Sequence, residues 1–444
     1  MLNLIVICSD TFRADCLGCF GNYSVDTPCL DLLADDGVVF ENAYADALPT
    51  IPARRVYFTG KSLLPFALRE TKDGRKVRVN PWAPLRPEDV TLAQVLADNG
   101  YVCGFITDVY HYFKPDMNLH RGFTSWQWIR GQEHDLYKSG PRARYNPKDY
   151  MPRHLWNEQY DALTRQYLMN LQGPPTEDDY FVAQVCRAGI QWLEENAEQK
   201  PFFLWLDMFD PHEPWDPPKR YRDMYYDNYP CERFIFGYGA RQKDIKPEDI
   251  PAIRGLYYGE VTFVDRWIGR FLERVDDLDL FDDTVIVFLN DHGTCLGEEG
   301  VVQKTGMLLH PYINQIPLII RHPSGEYSGK RVRGLVSAAD IMPTLLALLD
   351  IEPPPGVTGQ NVWPLVTGKK RRIHRVVHTG FGAYASVRDL KWNYIVNYDN
   401  PEAEPGPRLY DLTDDPGETK NVVSKHRDVA KRMQQHIDEL WHAE

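Results

Sequence analysis

Val285-Ile286-Val287-Phe288-Leu289 runs without a polar side chain and passes directly into Asn290-Asp291-His292-Gly293. Five consecutive apolar residues, most of them β-branched or aromatic, leave no face for water. They read as a strand covered on both sides, the pattern of a parallel sheet between helices. Working outward, the run at 2–8 is apolar apart from Asn3 and ends at Ser9-Asp10, and Phe202 to Leu206 repeats the pattern and ends at Asp207. Helices are predicted at 27–37, 54–59, 91–100, 180–198 and 255–275, with further strands at 38–40, 101–106 and 316–320. Strands alternating with helices predict an α/β fold, a mostly parallel sheet sandwiched by helices. Ligands in such folds bind beyond the carboxyl ends of the strands. Polar clusters follow Cys8, Leu206 and Leu289 at those ends, which predicts one shared site.

The chain has 444 residues, 43% of them hydrophobic, enough for one large domain and a smaller one. The division is predicted at 1–368 and 369–444. A helix at 339–349 and a Pro-rich hinge at 352–356 precede it. Antiparallel strands at 378–380, 383–387 and 391–398, a strand-turn at 409–412 and a closing helix at 423–441 follow it. The segment 210–252, rich in Pro, Tyr, Asp and Arg, reads as a surface insertion near the site. The segment 108–180 has weak periodicity. A formal net charge of −13, with no basic and aromatic-interleaved patch, argues against a nucleic-acid partner. The first apolar run has no basic flank or cleavage signal and is too short to span a bilayer, so no membrane partner and a cytoplasmic location are expected. A homo-oligomer is left open. The eight cysteines show no metal-finger spacing, and Cys16 and Cys19 read as free packed thiols.

A second stretch carries the chemistry. Leu48-Pro49-Thr50-Ile51-Pro52-Ala53-Arg54 has the spacing of the Cys/Ser-x-Pro-x-Arg nucleophile motif of sulfatases, with Thr50 at the reactive position and Thr59-Gly60 after it. Asp10-Thr11-Phe12-Arg13 with Leu17 to Gly21, and Thr27 to Asp31, are similar to opening segments of those enzymes. Phe209 to Pro214 resembles the segment carrying their middle histidine. Asp291-His292-Gly293 through Glu298 resembles the second metal segment, and Lys304 falls where they place a substrate lysine. Tyr410-Asp411-Leu412 with Asp415 to Glu418 resembles their C-terminal signature. In this order, over nearly the whole chain, the sequence resembles the sulfatase family of the alkaline-phosphatase-like superfamily. The resemblance implies that superfamily's α/β fold with a small C-terminal antiparallel-sheet subdomain.

The departures are as informative. A threonine cannot become formylglycine by the route open to Cys or Ser, so no formylglycine is expected. Only Asp10 is acidic where the family often has paired aspartates. Thr107-Asp108-Val109-Tyr110-His111 replaces a Gly-Lys-Trp-His segment, and the second metal segment reads Asp-His rather than Asp-Asn. These changes resemble the phosphoesterase and phosphonate monoester hydrolase side of the superfamily.

Asp10 at the end of a buried strand is costly unless it is paired or metal-bound; its bland reading is a helix cap. With Asp291, His292 and an oxygen from Thr50 it suits one divalent ion. Two carboxylates and an imidazole favour Mn or Zn over Ca or Mg. Such an ion would lower the pKa of the Thr50 hydroxyl. Arg54 would orient Thr50 or neutralise a transferred oxygen, or else form a structural ion pair. His212 would protonate a leaving group or contact the transferred group, or else pack as a loop histidine, and Lys304 would act as a point charge on the anion. His111 is a further catalytic candidate, and Thr11, Asp108, Asp210 and His310 are additional ones. Asp207, Asp210, His212 and His310 could build a second metal site, but the charge of Lys304 favours a single ion. The expected activity is metal-dependent hydrolysis of phosphate diesters or phosphonate/phosphate esters through Thr50, on a small anionic ester. The alternatives are a sulfuric ester hydrolase acting without formylglycine and a non-catalytic anion-binding homologue.

Overall fold

The structure is a computed structural model and describes residues 1–66, 68–70, 76–78, 82–141, 144–171, 175–237, 240–401 and 405–441. Its centre is an eight-stranded sheet. The strands in chain order are β1 (Asn3–Ser9), β2 (Val38–Phe40), β3 (Val102–Thr107), β4 (Ser125–Trp128), β5 (Phe202–Met208), β6 (Thr284–Asn290), β7 (Leu318–Arg321) and β8 (Lys330–Val332). Across the sheet they lie β8-β2-β7-β6-β1-β5-β3-β4. All pairings are parallel except those of β7, which is antiparallel to both β2 and β6. The sequence pattern does not reveal this reversal. A parallel return needs a crossover that packs back on the sheet, usually a helix. Between Asn290 and Leu318 the chain makes a short hairpin, Cys295–Leu296 with Val302–Gln303, and a four-residue helix, Pro311–Asn314, too little to cross back over the sheet, so it re-enters in the opposite direction.

Helices cover both faces: α1 (Pro28–Asp35), α2 (Thr50–Thr59), α3 (Leu92–Asp98), α4 (Glu158–Leu171), α5 (Phe181–Asn196), α6 (Ile250–Asp277) and α7 (Ile341–Leu348). Alternation along β1 divides the core. Leu4, Val6 and Cys8 pack with α2, α3 and α7, whereas Ile5 and Ile7 pack with α1, α5 and α6. The segment 108–180 proves to contain β4 and α4. In 210–252, Trp215, Ile235 and Phe236 are wholly buried, so that stretch is part of the core and not only a surface insertion. Tyr238 and Gly239 lie outside the described residues.

A four-stranded antiparallel sheet follows: β9 (Val377–Phe381), β10 (Tyr384–Arg388), β11 (Trp392–Asn397) and β12 (Arg408–Asp411). It is covered by α8 (Arg427–Trp441) through Val429, Met433 and Ile437. β9 also grips the chain ahead of Thr50. The Leu48 N–H donates to the Gly380 carbonyl at 2.9 Å, the Gly380 N–H to the Asp46 carbonyl at 2.8 Å, and the Thr379 hydroxyl to the Ala45 carbonyl at 2.5 Å. A side chain at 380 would collide with Leu64 and Phe66, so this close approach requires glycine. Among the described residues, no helix is long and apolar enough to cross a membrane.

Candidate active site

Register builds the site. Cys8 pairs with Asp207 on one side and Leu289 on the other, and Ser9 pairs with Met208 and Asn290. Asp10 and Asp291 therefore emerge at one level on adjacent strands, and Asp207 stands two residues lower on the third, level with Cys8. All three carboxylates are wholly buried, and so is Arg54, one turn into α2. Arg54 Nη1 donates to Asp10 Oδ2 at 2.9 Å and to Asp291 Oδ2. Its Nη2 donates to Asp207 Oδ1 at 2.8 Å, and Nε lies 3.3 Å from Asp207 Oδ2. Asp207 also accepts from the Tyr112 hydroxyl and from the Trp205 indole at 3.0 Å. One guanidinium cannot balance three wholly buried carboxylates, and the remaining negative charge calls for a cation.

His292 shows where that cation would bind. Its Nδ1 donates to its neighbour's carbonyl, Gly293 O, at 2.9 Å, which leaves the Nε2 lone pair 3.4 Å from Asp291 Oδ2 and 3.7 Å from Asp10 Oδ1. Nε2 is buried without a hydrogen-bond partner. Burial, reinforced by Lys304, holds this imidazole down at about 4, so it is neutral, the form that binds metals. Ligand atoms of Asp10, Asp291 and His292 lie within 4.8 Å of one another, the one such group of three among the described residues. The donor set and the orphaned nitrogen fit one divalent ion. Thr11 braces the set. Its hydroxyl donates to Asp10 Oδ1 at 2.7 Å and its N–H to Asp291 Oδ1 at 3.0 Å, with its backbone at φ 61°, a conformation uncommon for a β-branched residue.

Thr50 opens α2. The sequence predicts this helix only from Arg54, but Pro52 falls in the first turn, where its missing N–H would have no intrahelical partner, so the helix starts four residues earlier. Thr50 and Arg54 are thus i and i+4 on one helix face, the face Arg54 turns to the carboxylates. Thr50 is 2% exposed and lies at the helix N-terminus, whose unpaired N–H groups favour an anion.

Lys304 and His212 form the opposite wall. Lys304 Nζ lies 2.5 Å from His212 Nε2, while His212 Nδ1 donates to the Glu213 carbonyl at 2.7 Å. Burial and the adjacent ammonium keep His212 well below the usual histidine range. Burial opposes the charge of Lys304, but Glu213, Asp10 and Asp291 more than compensate and raise it. Glu213 is wholly buried, 3.8 Å from Lys304 Nζ, and neither carboxylate oxygen has a hydrogen-bond partner. His111 is buried against Phe209 and Trp82, with Nε2 3.2 Å from Glu133 Oε2.

The remaining predicted residues are engaged elsewhere. Asp108 Oδ1 accepts from the Phe209 N–H, and Asp210 accepts from Gln132 and from the Val182 N–H; both hold strand-end loops. His310 Nδ1 faces Glu418 Oε2 at 2.8 Å, and Glu418 in turn takes Arg388 and Asn393. That group ties the C-terminal sheet to the site loop. The four residues considered for a second metal are therefore dispersed among other partners. Sequence reasoning passed over Tyr112, Glu133 and His134. Glu133-His134 stands just beyond the carboxyl end of β4, a position that would have marked it had the weakly periodic segment been read as containing a strand.

A sulfatase profile matches residues 2–351, and the chain belongs to the sulfatase family. A profile described as N-sulphoglucosamine sulphohydrolase, C-terminal, matches 297–443. An arylsulfatase of Clostridium perfringens is 27% identical over 453 residues, covering 95% of this chain and 90% of the relative. The multifunctional alkaline phosphatase superfamily protein PehA of Trinickia caryophylli is 24% identical, covering 90% and 82%. The solved phosphonate monoester hydrolase of Agrobacterium radiobacter shares the fold with a TM-score of 0.76 at 24% identity, covering 99% of this chain and 95% of that one. Family, fold and the buried ligand trio together define a metal-dependent hydrolase of the alkaline-phosphatase-like superfamily.

Proposed function

We propose that the protein hydrolyses esters of a tetrahedral oxyanion and that sulfate esters are among its substrates. The observation that carries this is the Asp10–Asp291–His292 trio, flanked by Arg54 on one side and Lys304 on the other, at the N-terminus that Thr50 opens. An ion in the trio would supply Lewis-acid charge, and Mn or Zn suits two carboxylates and an imidazole better than Ca or Mg. Lys304 and the first N–H groups of α2 would neutralise oxygens of the transferred group, and His212 and His111 would serve the leaving oxygen. The sulfatase names of several relatives support sulfate. Under this reading water is the attacking oxygen and Thr50 orients it, because a threonyl sulfate would lack formylglycine's second hydroxyl for its release.

A second reading, hydrolysis of phosphate diesters or phosphonate esters, is favoured by Thr50 itself. A threonyl phosphate can be opened by water at phosphorus, so Thr50 can attack directly. The Agrobacterium phosphonate monoester hydrolase and PehA support this reading. Parallel turnover of 4-nitrophenyl sulfate, phosphate mono- and diesters and a phosphonate ester, before and after chelation, decides between the two. A dominant sulfate rate favours the first and a dominant phosphorus-ester rate the second. Bound metal with no turnover of any ester would leave a non-catalytic anion-binding protein.

A further inference from the structure

Three side chains that the family resemblance does not join form a line from the surface to the wall of the site. His134 is one-quarter exposed, with its Nδ1 3.2 Å from Glu133 Oε1. Glu133 is nearly buried, with its Oε2 3.2 Å from His111 Nε2. His134 and Glu133 border, with Tyr167 and Pro214, a cavity of about 10 Å³, room for roughly one water. At the inner end, His111 Nδ1 is buried with no hydrogen-bond partner among the described residues, and Glu133 Oε2 has none either. The His111 ring packs on Phe209, whose other neighbour is the His212 ring, 4.1 Å away between centroids. The line therefore ends one aromatic ring away from the His212–Lys304 pair.

The backbone supports a purpose for this geometry. Glu133 has φ 50°, in the left-handed region that side chains other than Gly and Asn seldom adopt. It is held there from both sides. Gln132, anchored on Asp210, accepts from the Glu133 N–H, and Asn170 donates to the carbonyls of Gly131 and Asp135. Strain maintained by surrounding bonds, at a carboxylate left partly unsatisfied between two imidazoles, marks a functional position.

We propose that His134, Glu133 and His111 form a proton relay that serves the leaving oxygen of the ester. This rests on the hydrolase reading above. As the bond from sulfur or phosphorus to the bridging oxygen breaks and the attacking oxygen bonds to the central atom, His111 Nδ1–H passes its proton to the leaving oxygen. The Glu133 carboxyl passes its own to His111 Nε2. The product leaves as the alcohol, the attacking hydroxyl gives up its proton to solvent, the Glu133 carboxylate is refilled from solvent through His134, and a turn of the His111 ring brings its newly protonated nitrogen to the site for the next cycle. His111 is the catalytic end, and Glu133 and His134 are positioning and supply residues. The charged groups facing Glu133 are His111 and Lys114 from the loop after β3, His134 beside it, Glu213 beyond β5, Lys304, and Asp10. Burial first, then Glu213 and Asp10, against His134 and Lys304, raise Glu133 to about 7. Burial and then Lys114 lower His111 to about 3. Near neutrality the imidazole is uncharged and the carboxyl can both hold and give a proton, as a relay needs.

The experiment compares the metal-loaded wild type with Glu133→Gln and His134→Gln on two esters of the same anion, one releasing 4-nitrophenolate and one a simple alkoxide. Thermal melts check that each variant is folded. Nitrophenolate leaves without a proton and alkoxide does not. Glu133→Gln should therefore lose about 10²–10⁴-fold on the alkyl ester, the range of general-acid catalysis, and far less on the aryl ester. His134→Gln, which blocks refilling, should move the same ratio in the same direction by less. Equal losses on both esters in the two folded variants would mean a structural role and overturn the relay, as would no loss on either. If Glu133→Gln does not fold, His134→Gln alone decides by the same ratio. A wild type that turns over neither ester would overturn the hydrolase reading and the relay with it.

Discussion

Replacing Arg54 by Met keeps most of its volume and removes its charge, so the cost measures electrostatics rather than a cavity. Four donor–acceptor contacts are lost, and three wholly buried carboxylates are left facing one another. Breaking one buried ion pair by deleting a partner costs about 3–5 kcal/mol. The desolvation of Arg54 is recovered in the same change, so the sum over three partners should stay near that range instead of tripling. About 3–5 kcal/mol corresponds to a factor of roughly 10²–10³ or somewhat more in the folding equilibrium. Urea unfolding of chelated wild type and Arg54→Met, compared at a common slope, measures it. Saturating metal should recover part of the loss, because an ion at the trio neutralises Asp10 and Asp291 but leaves Asp207 unpaired. Adding Asp207→Asn to Arg54→Met should then cost less than it does in the wild type, a coupling of about 0.5–3 kcal/mol. An Arg54→Met protein within about 1 kcal/mol of wild type, or a cycle with no coupling, would show that the carboxylates do not depend on this guanidinium and would refute the charge argument for the metal.

Thr50→Ala should fold normally and lose at least about 10² in kcat if Thr50 attacks, with Thr50→Ser retaining part of it; unchanged turnover would assign the attack to water. Chelation should lower the melting temperature, and Mn or Zn at about 100 times its Kd should return about 2.7 kcal/mol, an increment Asp291→Asn lacks; identical melts with and without metal would contradict the site. His310→Gln should destabilise the protein more at about pH 6 than at about pH 9. Burial lowers His310, but the side chains of Glu299 and Glu418 outweigh it and raise its folded value, so its contribution is complete below about 6.5 and fades as pH climbs through that raised value. Glu418 is lowered, by Arg388 and His310 against burial, so its share fades instead on acidification. A pH-independent cost, measured by urea midpoints, would show that His310 is not charged in the fold.

The sheet was legible because strands buried on both faces must be apolar throughout, so β1, β5 and β6 announce themselves and so do the acids that terminate them. Register was not legible. Nothing in the run ending at Leu206 says that Asp207 stands beside Cys8, two residues below Asp10, and the sequence left it as a possible second-metal ligand when its partner is Arg54. Direction was not legible either, since an apolar strand such as β7 reads the same both ways. Thr11 illustrates a subtler limit. As a residue following Asp10 it looks like a lost aspartate, whereas its N–H and hydroxyl hold both carboxylates in place. Glu133 and His134 were hidden because β4 exposes most of its short length and so lacks the apolar signature that located the other strand ends.

The grip of β9 on the chain ahead of Thr50 also sets an order of events in biosynthesis. The Leu48 N–H and the Ala45 and Asp46 carbonyls receive their partners only from Thr379 and Gly380, roughly 330 residues downstream, which at about 5–20 residues per second is a wait of roughly 20–60 s. During that interval the strands that carry Asp10, Asp207 and Asp291 can already be complete, while the segment that delivers Thr50 to them is held at one side only. A nascent chain can therefore have its acids in place before its hydroxyl, because β9, made roughly 330 residues later, is the strand that holds the Thr50 segment.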